Sequence, residues 1–139
     1  MQDSTVSTER KDNMRRFCIE AAFDCQDLKC RDVKVLDVRG LSPVCDYLLM
    51  ATAASTRQMS SVANSLIEIG QKYDLPPMSP HKRGDMGNRW LALDLIDVIV
   101  HLFDEEARMY YDLDGLWGDA KEVKWFEEER PTDAKTSGD

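Results

Sequence analysis

Apolar residues recur at three- and four-residue intervals near the start of the chain, between residues 11 and 29. This spacing predicts an amphipathic α-helix over 11–29. The apolar positions of that helix are Met14, Phe17, Cys18, Ala21, Ala22, Cys25 and Leu28. Two strands are predicted next, "VKVLDV" at 33–38 and "DYLLMATA" at 46–53, and the unbroken apolar run of the latter indicates a central strand. The "GLSPV" between them predicts a turn, since Pro43 lacks a backbone N–H.

A second helix is predicted to begin after Ser55. Ser55 and Gln58 fit a capping box, in which the serine hydroxyl accepts a backbone N–H that the first turn leaves unpaired. The buried stripe of this helix is predicted to contain Met59, Val62, Ala63, Leu66 and Tyr73. The prolines of "LPPMSP" end the helix, and "HKRGDMGNR" at 81–89 predicts a short edge strand followed by a turn.

Two further strands, 90–95 and 98–103, are so close in sequence that they must form an antiparallel hairpin. A two-residue turn gives one aliphatic face, predicted to pack on the core, with the pairs Leu95–Val98, Leu93–Val100 and Leu91–Leu102. The opposite face, called the mixed face below, holds the pairs Trp90–Phe103, Ala92–His101 and Asp94–Ile99. The mixed face either lies under a helix or forms the centre of a protein interface, where large aromatics beside a few charges are typical. The turn residues Ile96-Asp97 indicate a longer or strained connection, because a tight hairpin turn prefers Gly or Asn.

A short helix is predicted after the hairpin, because Asp104, Glu105 and Glu106 suit the positive end of a helix dipole. The element order is therefore α-β-β-α-(β)-β-β-α. This order predicts an α/β fold, a single compact domain with a mixed β-sheet flanked by helices, and the length of 139 residues fits one domain. The folded domain is predicted at 10–126, between a flexible polar N-terminus at 1–9 and a flexible acidic tail at 127–139.

Cysteine usage and hydropathy limit the possible classes of protein. The four cysteines form no C-x-x-C pair and lie far in sequence from His81 and His101, so we expect buried reduced thiols and no metal site. No stretch approaches the roughly 20 apolar residues of a membrane span. The first ten residues lack an apolar leader, and we expect a cytoplasmic protein without membrane contact.

The net charge of −8 is unevenly distributed. Between Asp94 and Asp119 there are eight acidic residues and one basic residue, Arg108. Such a surface repels nucleic-acid phosphates and favours a basic partner, so no direct sequence-specific binding of nucleic acid is expected. Charge alone has a simpler explanation, which is that acidic residues keep the protein soluble.

Two groups on the hairpin invite a catalytic interpretation. Asp94 and Asp97 are spaced like carboxylates that hold magnesium, although residues three apart in a strand point to opposite faces. Magnesium–nucleotide chemistry also uses a glycine-rich or basic phosphate cradle, and the sequence contains neither of the usual glycine motifs. His101 as a general base would need a nucleophile or substrate pocket, which no motif indicates. A structural or interface role for His101 is therefore favoured.

Four ordered stretches resemble the ribosomal silencing factors, also called the Iojap-like family. They are "DYLLMATAASTRQ" (46–58), "WLALD" (90–94), "DVIVHLF" (97–103) and "EARMYYDLDGLW" (106–117). The resemblance runs from about residue 19 to residue 123. It implies an α/β fold related to the nucleotidyltransferases but without their catalytic signature. It also implies binding to protein fourteen of the large ribosomal subunit, a block on subunit joining that represses translation, a homodimer in the free state, and no enzymatic activity or cofactor.

The resemblance also assigns positions. Motif positions fall on Asp46, Tyr47, Trp90, Asp94, His101, Arg108, Tyr111, Leu113 and Trp117. The predicted partner-binding residues are Trp90, Asp94, His101, Phe103, Tyr47 and Asp46, with the acids after Phe103 supplying an electrostatic field. The alternative for Tyr47, Leu113 and Trp117 is core packing. Arg108 is expected to pair with a nearby carboxylate and Ser55 to cap its helix.

Two positions depart from the pattern that this resemblance implies. Arg83-Gly84 replaces Glu-Gly, which reverses a charge near the predicted contact surface. Ile96-Asp97 replaces Gly-Asp, which affects the hairpin turn more than a binding role.

Overall fold

A computed structural model describes residues 2–75, 82–83 and 89–131, with side chains for 12–75 and 89–131. This part of the chain forms four α-helices, six strands and one short 3-10 helix. The α-helices are α1 (Gln2–Asp27), α2 (Thr56–Lys72), α3 (Glu105–Tyr111) and α4 (Leu113–Leu116). The strands are β1 (Arg31–Asp37), β2 (Tyr47–Thr52), β3 (Lys82–Arg83), β4 (Trp90–Asp94), β5 (Val98–Phe103) and β6 (Lys121–Val123). The 3-10 helix is Trp125–Glu127. None of the described helices combines the length and apolar character of a membrane span.

The strands form one mixed sheet in the order β3-β4-β5-β2-β1-β6. Among the described strand pairs, β2 and β5 run parallel and the other four pairs are antiparallel. Every residue of β2 is buried, and the strand lies between β5 and β1, which confirms the predicted central strand. The predicted edge strand at 81–89 is present as β3, while the turn predicted to follow it, residues 84–88, lies outside the described residues.

Helices cover both faces of the sheet, as predicted for an α/β domain. α1 and α2 pack on one face, over a large apolar core that includes the aliphatic face of the hairpin. That face is fully buried at Leu91, Leu93, Leu95, Val98, Val100 and Leu102. A smaller cluster on the other face contains Ala107 of α3 and Leu113 of α4, with Leu48, Met50 and Phe103 from the sheet.

The start of α2 is capped as predicted. The hydroxyl of Ser55 accepts the backbone N–H of Gln58 at 3.0 Å. The Gln58 side chain departs from a standard capping box, since its Oε1 accepts from Ala54 N at 2.5 Å and its Nε2 donates to the carbonyl of Leu28 at 2.6 Å. The first turn of α2 is thereby joined to the end of α1.

Helical structure and ion pairs are described at both ends of the chain. α1 begins at Gln2, earlier than the helix that the spacing of apolar residues predicts over 11–29. At the other end, Glu128 pairs with Arg15 at 3.3 Å, and Arg130 pairs with Asp27 at 2.5 Å. Residues 132–139 of the predicted tail lie outside the described residues.

Candidate functional site

The hairpin formed by β4 and β5 has the predicted register. Trp90 pairs with Phe103, Ala92 with His101, and Asp94 with Ile99, so all six residues of the mixed face point to the side of the sheet opposite α1 and α2. Trp90, Ala92, Ile99 and His101 are half-buried, and Asp94 is exposed. The mixed face is therefore only partly covered by the fold.

A hydrogen bond joins the two polar rings of the mixed face. Trp90 Nε1 donates to His101 Nδ1 at 3.1 Å, and the ring centroids are 5.6 Å apart. Burial lowers the pKa of His101 to about 4, so the imidazole is neutral near pH 7. Since an indole N–H can only donate, Nδ1 of the neutral ring must be the acceptor and Nε2 carries the proton. Nε2 has no hydrogen-bond partner among the described residues, which leaves an N–H donor for a binding partner.

α3 extends the mixed face with tyrosines. The ring of Tyr111 lies 4.4 Å from that of Trp90, centroid to centroid, and Tyr110 meets Tyr111 edge-on at 5.1 Å. Tyr110 is 74% exposed. The four rings of His101, Trp90, Tyr111 and Tyr110, called the aromatic strip below, form a continuous surface, and aromatic side chains of this kind dominate the energetics of protein interfaces.

α3 is held in place by a cap at its start and by a buried arginine. Asp104 Oδ1 accepts the backbone N–H of Ala107 at 2.8 Å. Arg108 is buried and binds both carboxylate oxygens of Asp114, Nε to Oδ2 at 2.9 Å and Nη2 to Oδ1 at 3.0 Å. The expected carboxylate partner of Arg108 is thus confirmed. The guanidinium also lies 5.4 Å from the centre of the Phe103 ring, which is the ring that pairs with Trp90 across the hairpin.

The remaining contacts of Arg108 fix it to the sheet. Nη1 donates to the hydroxyl of Thr52 at 2.9 Å and to the carbonyl of Asp32 at 2.6 Å. Lys34 Nζ lies 3.1 Å from Asp114 Oδ1. The Arg108 hydrogen bonds and, to a lesser extent, Lys34 lower the pKa of Asp114 to about 2. The network orients α3, and with it Tyr110 and Tyr111, relative to the mixed face.

The turn of the hairpin is strained, as its sequence indicates. Ile96 has a φ of 72°, and Asp97 N donates to the carbonyl of Leu95 at 2.9 Å, which makes a three-residue γ-turn. Positive φ is unfavourable for a β-branched residue. Asp94 stabilises the turn, because its Oδ1 accepts the backbone N–H of Ile96 at 2.8 Å. The second carboxylate oxygen of Asp94 is not used in this bond.

Acidic groups gather at the same end of the hairpin. Asp46 N donates to the carbonyl of Asp97 at 2.7 Å, so the start of β2 adjoins the turn that Asp94 stabilises. The exposed apolar side chains of Ile96 and Val44 flank these acids. This end of the mixed face presents both carboxylates and apolar surface.

Most of the acidic residues that follow Phe103 form ion pairs within the chain, whereas the sequence predicted that they supply an electrostatic field to a partner. Arg89 pairs with Glu106 and lies 3.7 Å from Asp104, and Arg31 pairs with Glu105 at 2.9 Å. With Asp114 bound to Arg108, much of this charge is balanced within the chain. Asp46 and Asp94, which form no ion pair with another described residue, therefore contribute more to the local field than the sequence indicated.

The six predicted partner-binding residues differ in solvent exposure. Trp90, His101 and Asp94 share the mixed face and are accessible, and half-buried Asp46 lies at its turn end. Phe103 is fully buried and supports Trp90 from below, at 6.2 Å between ring centroids. Tyr47 is 2% exposed and packs in the core on the opposite face of the sheet, in agreement with the core-packing alternative. In this conformation neither Phe103 nor Tyr47 can touch a partner directly.

Tyr110 and Tyr111 were not among the predicted partner-binding residues. The available signal was the pair of tyrosines in "RMYYDL", since two adjacent aromatics on a seven-residue helix cannot both face the core. The half-buried Trp117 borders the smaller cluster, and Leu113 is buried in it, both in agreement with core packing.

The described residues contain no group of three or more His, Cys, Asp and Glu side chains that could hold a metal ion. Asp94 is exposed, and one of its oxygens is used by the turn. Its second carboxylate oxygen lies on the same face of the hairpin as the Nε2–H donor of His101.

Comparison with known proteins places the chain among ribosome-associated factors. A family model described as "Ribosomal silencing factor during starvation" matches residues 11–139. The ribosomal silencing factor RsfS of Bacillus subtilis (strain 168) is 39% identical over 109 residues, covering 78% of this chain and 90% of that protein. The chloroplastic protein Iojap of Zea mays is 29% identical over 123 residues, covering 88% of this chain and 52% of that protein.

Solved structures with the same fold are also found. A crystal structure of a Chromobacterium violaceum protein aligns with a TM-score of 0.64 at 26% identity, covering 88% of this chain and 89% of that chain. A crystal structure of a Bacillus halodurans protein aligns with a TM-score of 0.62 at 27% identity, covering 81% of this chain and 98% of that chain.

Proposed function

Because the chain belongs to the family of ribosomal silencing factors, we propose that it binds the large ribosomal subunit and sterically blocks joining of the small subunit, which represses translation. The proposed attachment point is protein fourteen of the large subunit. The observation that carries the proposal is the family match over residues 11–139, together with the extended identity to bacterial RsfS.

The proposed contact surface is the mixed face with the aromatic strip. Trp90 and Tyr110 would supply aromatic contact area, and the free Nε2–H of His101 would donate to an acceptor on the partner. The unused oxygen of Asp94 would accept from a lysine or arginine, as would Asp46 at the turn end. Phe103 acts in this proposal by supporting Trp90, and Tyr47 has no contact role in it.

The charge of the chain supports a basic partner. A net charge of −8 speeds the encounter with a positively charged ribosomal protein. Added salt screens this attraction, so the association rate should fall with ionic strength. The aromatic strip, which is less sensitive to salt, would govern the dissociation rate.

The proposed mechanism requires no chemical step. A folded domain attached at the subunit interface occupies volume that the small subunit needs. The alternative function, a nucleotidyltransferase-like enzyme using Asp94 and Asp97 with magnesium, is favoured by no observation on these residues. We therefore propose a non-enzymatic role without a cofactor, in the cytoplasm, and a homodimer when the protein is not bound to the ribosome.

Co-sedimentation with separated ribosomal subunits, followed by a subunit-joining assay, tests the proposal. We expect the full chain to pellet with large subunits and not with small ones, and to lower the yield of joined particles. The control is Phe126→Ala, which removes an exposed aromatic next to Trp125, outside the mixed face, and should act like the unmodified protein. Absence of large-subunit binding at low salt would refute the proposal. Binding without loss of joined particles would refute the steric mechanism.

A further inference from the structure

The C-terminal end of α1 closes in a Schellman motif. Lys29 has a left-handed φ of 74°, and its backbone N–H donates to the carbonyl of Gln26 at 3.0 Å. The backbone N–H of Cys30 donates to the carbonyl of Cys25 at 2.9 Å. These are the two hydrogen bonds that define the motif, which also brings together the side chains of its first and last residues. In this chain both of those residues are cysteines.

The two thiols are close enough to influence each other. Cys25 and Cys30 share the apolar core under α1 and α2, and each shifts the pKa of the other. With standard bond lengths, the backbone hydrogen bond between them limits the Cα–Cα separation to less than about 7 Å. Disulfides form within about that separation without movement of the backbone. The motif thus holds a pair of reduced thiols at a backbone separation that a disulfide can span.

The thiols differ in reactivity. The hydrogen bond from Cys25 lowers the pKa of Cys30, because it stabilises the thiolate. The pKa of Cys25 is raised, first by that same bond to Cys30 and then by burial. Cys30 also retains 8% exposure, whereas Cys25 and Cys18 have none. Cys30 is therefore the thiol that a small oxidant reaches first.

We propose that Cys25 and Cys30 form a reversible intramolecular disulfide when the protein meets hydrogen peroxide. The Cys30 thiolate attacks one peroxide oxygen, the O–O bond breaks, and the departing oxygen takes a proton and leaves as water, giving a sulfenic acid. The Cys25 sulfur then attacks the Cys30 sulfur. The S–S bond forms, the S–O bond breaks, and a second water leaves with the Cys25 proton. The thiol pair loses two electrons and two protons, and peroxide gains both.

This modification site is separate from the proposed ribosome contact. Cys25 and Cys30 lie in the layer of α1 and α2, on the side of the sheet opposite the mixed face. Its test therefore needs no ribosome, and its failure would leave the proposed function intact.

Thiol counting with disulfide mapping tests the proposal. The reduced full-length chain is exposed to a small excess of hydrogen peroxide, denatured, alkylated and measured by mass spectrometry. We expect the number of alkylated cysteines to fall from four to two, and all four thiols to return with dithiothreitol. Tryptic peptide 17–29, which contains both Cys18 and Cys25, should be linked to Cys30, and its fragment ions should place the link at Cys25. Four remaining thiols, a link between any other pair, or oxidation of Cys30 beyond the sulfenic acid without a link would overturn the proposal.

Variants provide the matched controls. Cys45→Ser removes a buried thiol outside the motif and should retain the Cys25–Cys30 link. Cys25→Ser removes the resolving thiol, and peroxide should then leave Cys30 as a sulfenic acid that a dimedone probe traps. Absence of dimedone labelling in a folded Cys25→Ser protein would contradict the assignment of Cys30 as the attacking thiol.

Discussion

The indole N–H of Trp90 donates to Nδ1 of His101 at 3.1 Å, across a directly neighbouring pair of strands. The bond fixes the tautomer of the histidine and the orientation of the indole together. The two residues therefore act as one unit, and a substitution at either position changes what the other presents to a partner.

The first prediction concerns the protonation of His101. Burial lowers its pKa in the folded protein to about 4, whereas the unfolded chain has the ordinary value of about 6.5. The unfolded chain thus takes up a proton at a higher pH than the folded one. The stability that neutral His101 contributes is complete above about pH 6.5 and is lost as the pH falls towards about 4. NMR titration of the imidazole protons should show this low pKa.

His101→Gln is the control for that titration. The variant has no imidazole at this position, so its free energy of unfolding should fall less than that of the unmodified protein between about pH 7 and pH 5. Urea unfolding at the two pH values measures the difference. Equal losses in both proteins would show that His101 titrates normally in the folded state.

The second prediction concerns Trp90. Trp90→Ala should weaken binding to the large subunit by about 2 kcal/mol or more, roughly 30-fold, if Trp90 is an interface hot spot. Trp90→Phe keeps an aromatic ring but loses the bond to His101, and should bind with intermediate affinity. Affinity is measured by co-sedimentation after circular dichroism has confirmed folding. An unchanged affinity in folded Trp90→Ala would remove this residue from the contact surface.

The same variant distinguishes a competing arrangement. If the mixed face is buried against a second copy of the chain instead, Trp90→Ala should dissociate the dimer and leave ribosome binding intact. Sedimentation equilibrium of the free protein measures this. A monomer that still binds large subunits with full affinity would assign the mixed face to self-association.

The third prediction concerns the pair formed by Arg108 and Asp114. Asp114→Asn removes the charge from three charge-assisted hydrogen bonds, two from Arg108 and one from Lys34, and should lower the free energy of unfolding by about 2 kcal/mol near neutral pH. The pKa of Asp114 is depressed to about 2 in the folded protein, so its contribution is present above about pH 3.8 and lost as the pH falls through about 2. The stability curves of variant and unmodified protein should therefore converge in acid.

Arg108→Lys tests the geometry of that pair. A lysine keeps the charge but cannot bind both carboxylate oxygens and Thr52 at once, so it should not restore stability. Chemical denaturation measures the loss, and Arg31→Lys, at an exposed pair with Glu105, is the matched control with little expected effect. Full stability of Arg108→Lys would mean that charge alone holds α3.

The fourth prediction concerns the hairpin turn. Ile96→Gly should raise the free energy of unfolding by up to about 1 kcal/mol, because glycine adopts the φ of 72° without steric cost. Ile96→Val keeps a β-branched side chain and should give no gain. Thermal and urea unfolding measure both variants. A loss of stability in Ile96→Gly would contradict this prediction. It would mean that the packing of the isoleucine side chain stabilises the protein by more than the strained backbone of the turn destabilises it.

The register of the β4–β5 hairpin could be predicted from the sequence, but the packing of α3 beside its mixed face could not. The pairing of Trp90 with Phe103 follows from a period of two and a short gap, since a slip by one residue would turn the aliphatic face out of the core. The position of Tyr111 over Trp90 depends instead on Asp112, which ends α3 with a φ of 49° and caps α4. It also depends on Arg108, whose partners include Thr52, far away in sequence. Such long-range contacts leave no local periodicity.

Strand β6 shows the same limit. Its three residues, "KEV", have no alternation long enough to indicate a strand, and it forms because β1 offers an unpaired edge. The burial of Tyr47, a predicted contact residue, could not be derived from the sequence for a related reason. The motif gives the residue type at position 47 but not the face of the sheet that its side chain occupies. The side chain lies on the face that packs against α1, in the large apolar core.

The parallel pairing of β2 with β5 has a consequence for how the chain folds as it is synthesised. β2 and β5 are separated by residues 53–97, so β2 is complete long before its partner exists. Until residues 98–103 are made, one edge of this fully buried strand has open backbone hydrogen-bonding groups and apolar side chains on both faces. Closure of the sheet and appearance of the mixed face are therefore a single late event. A chain that stops before β5 lacks the mixed face and exposes an edge prone to aggregation.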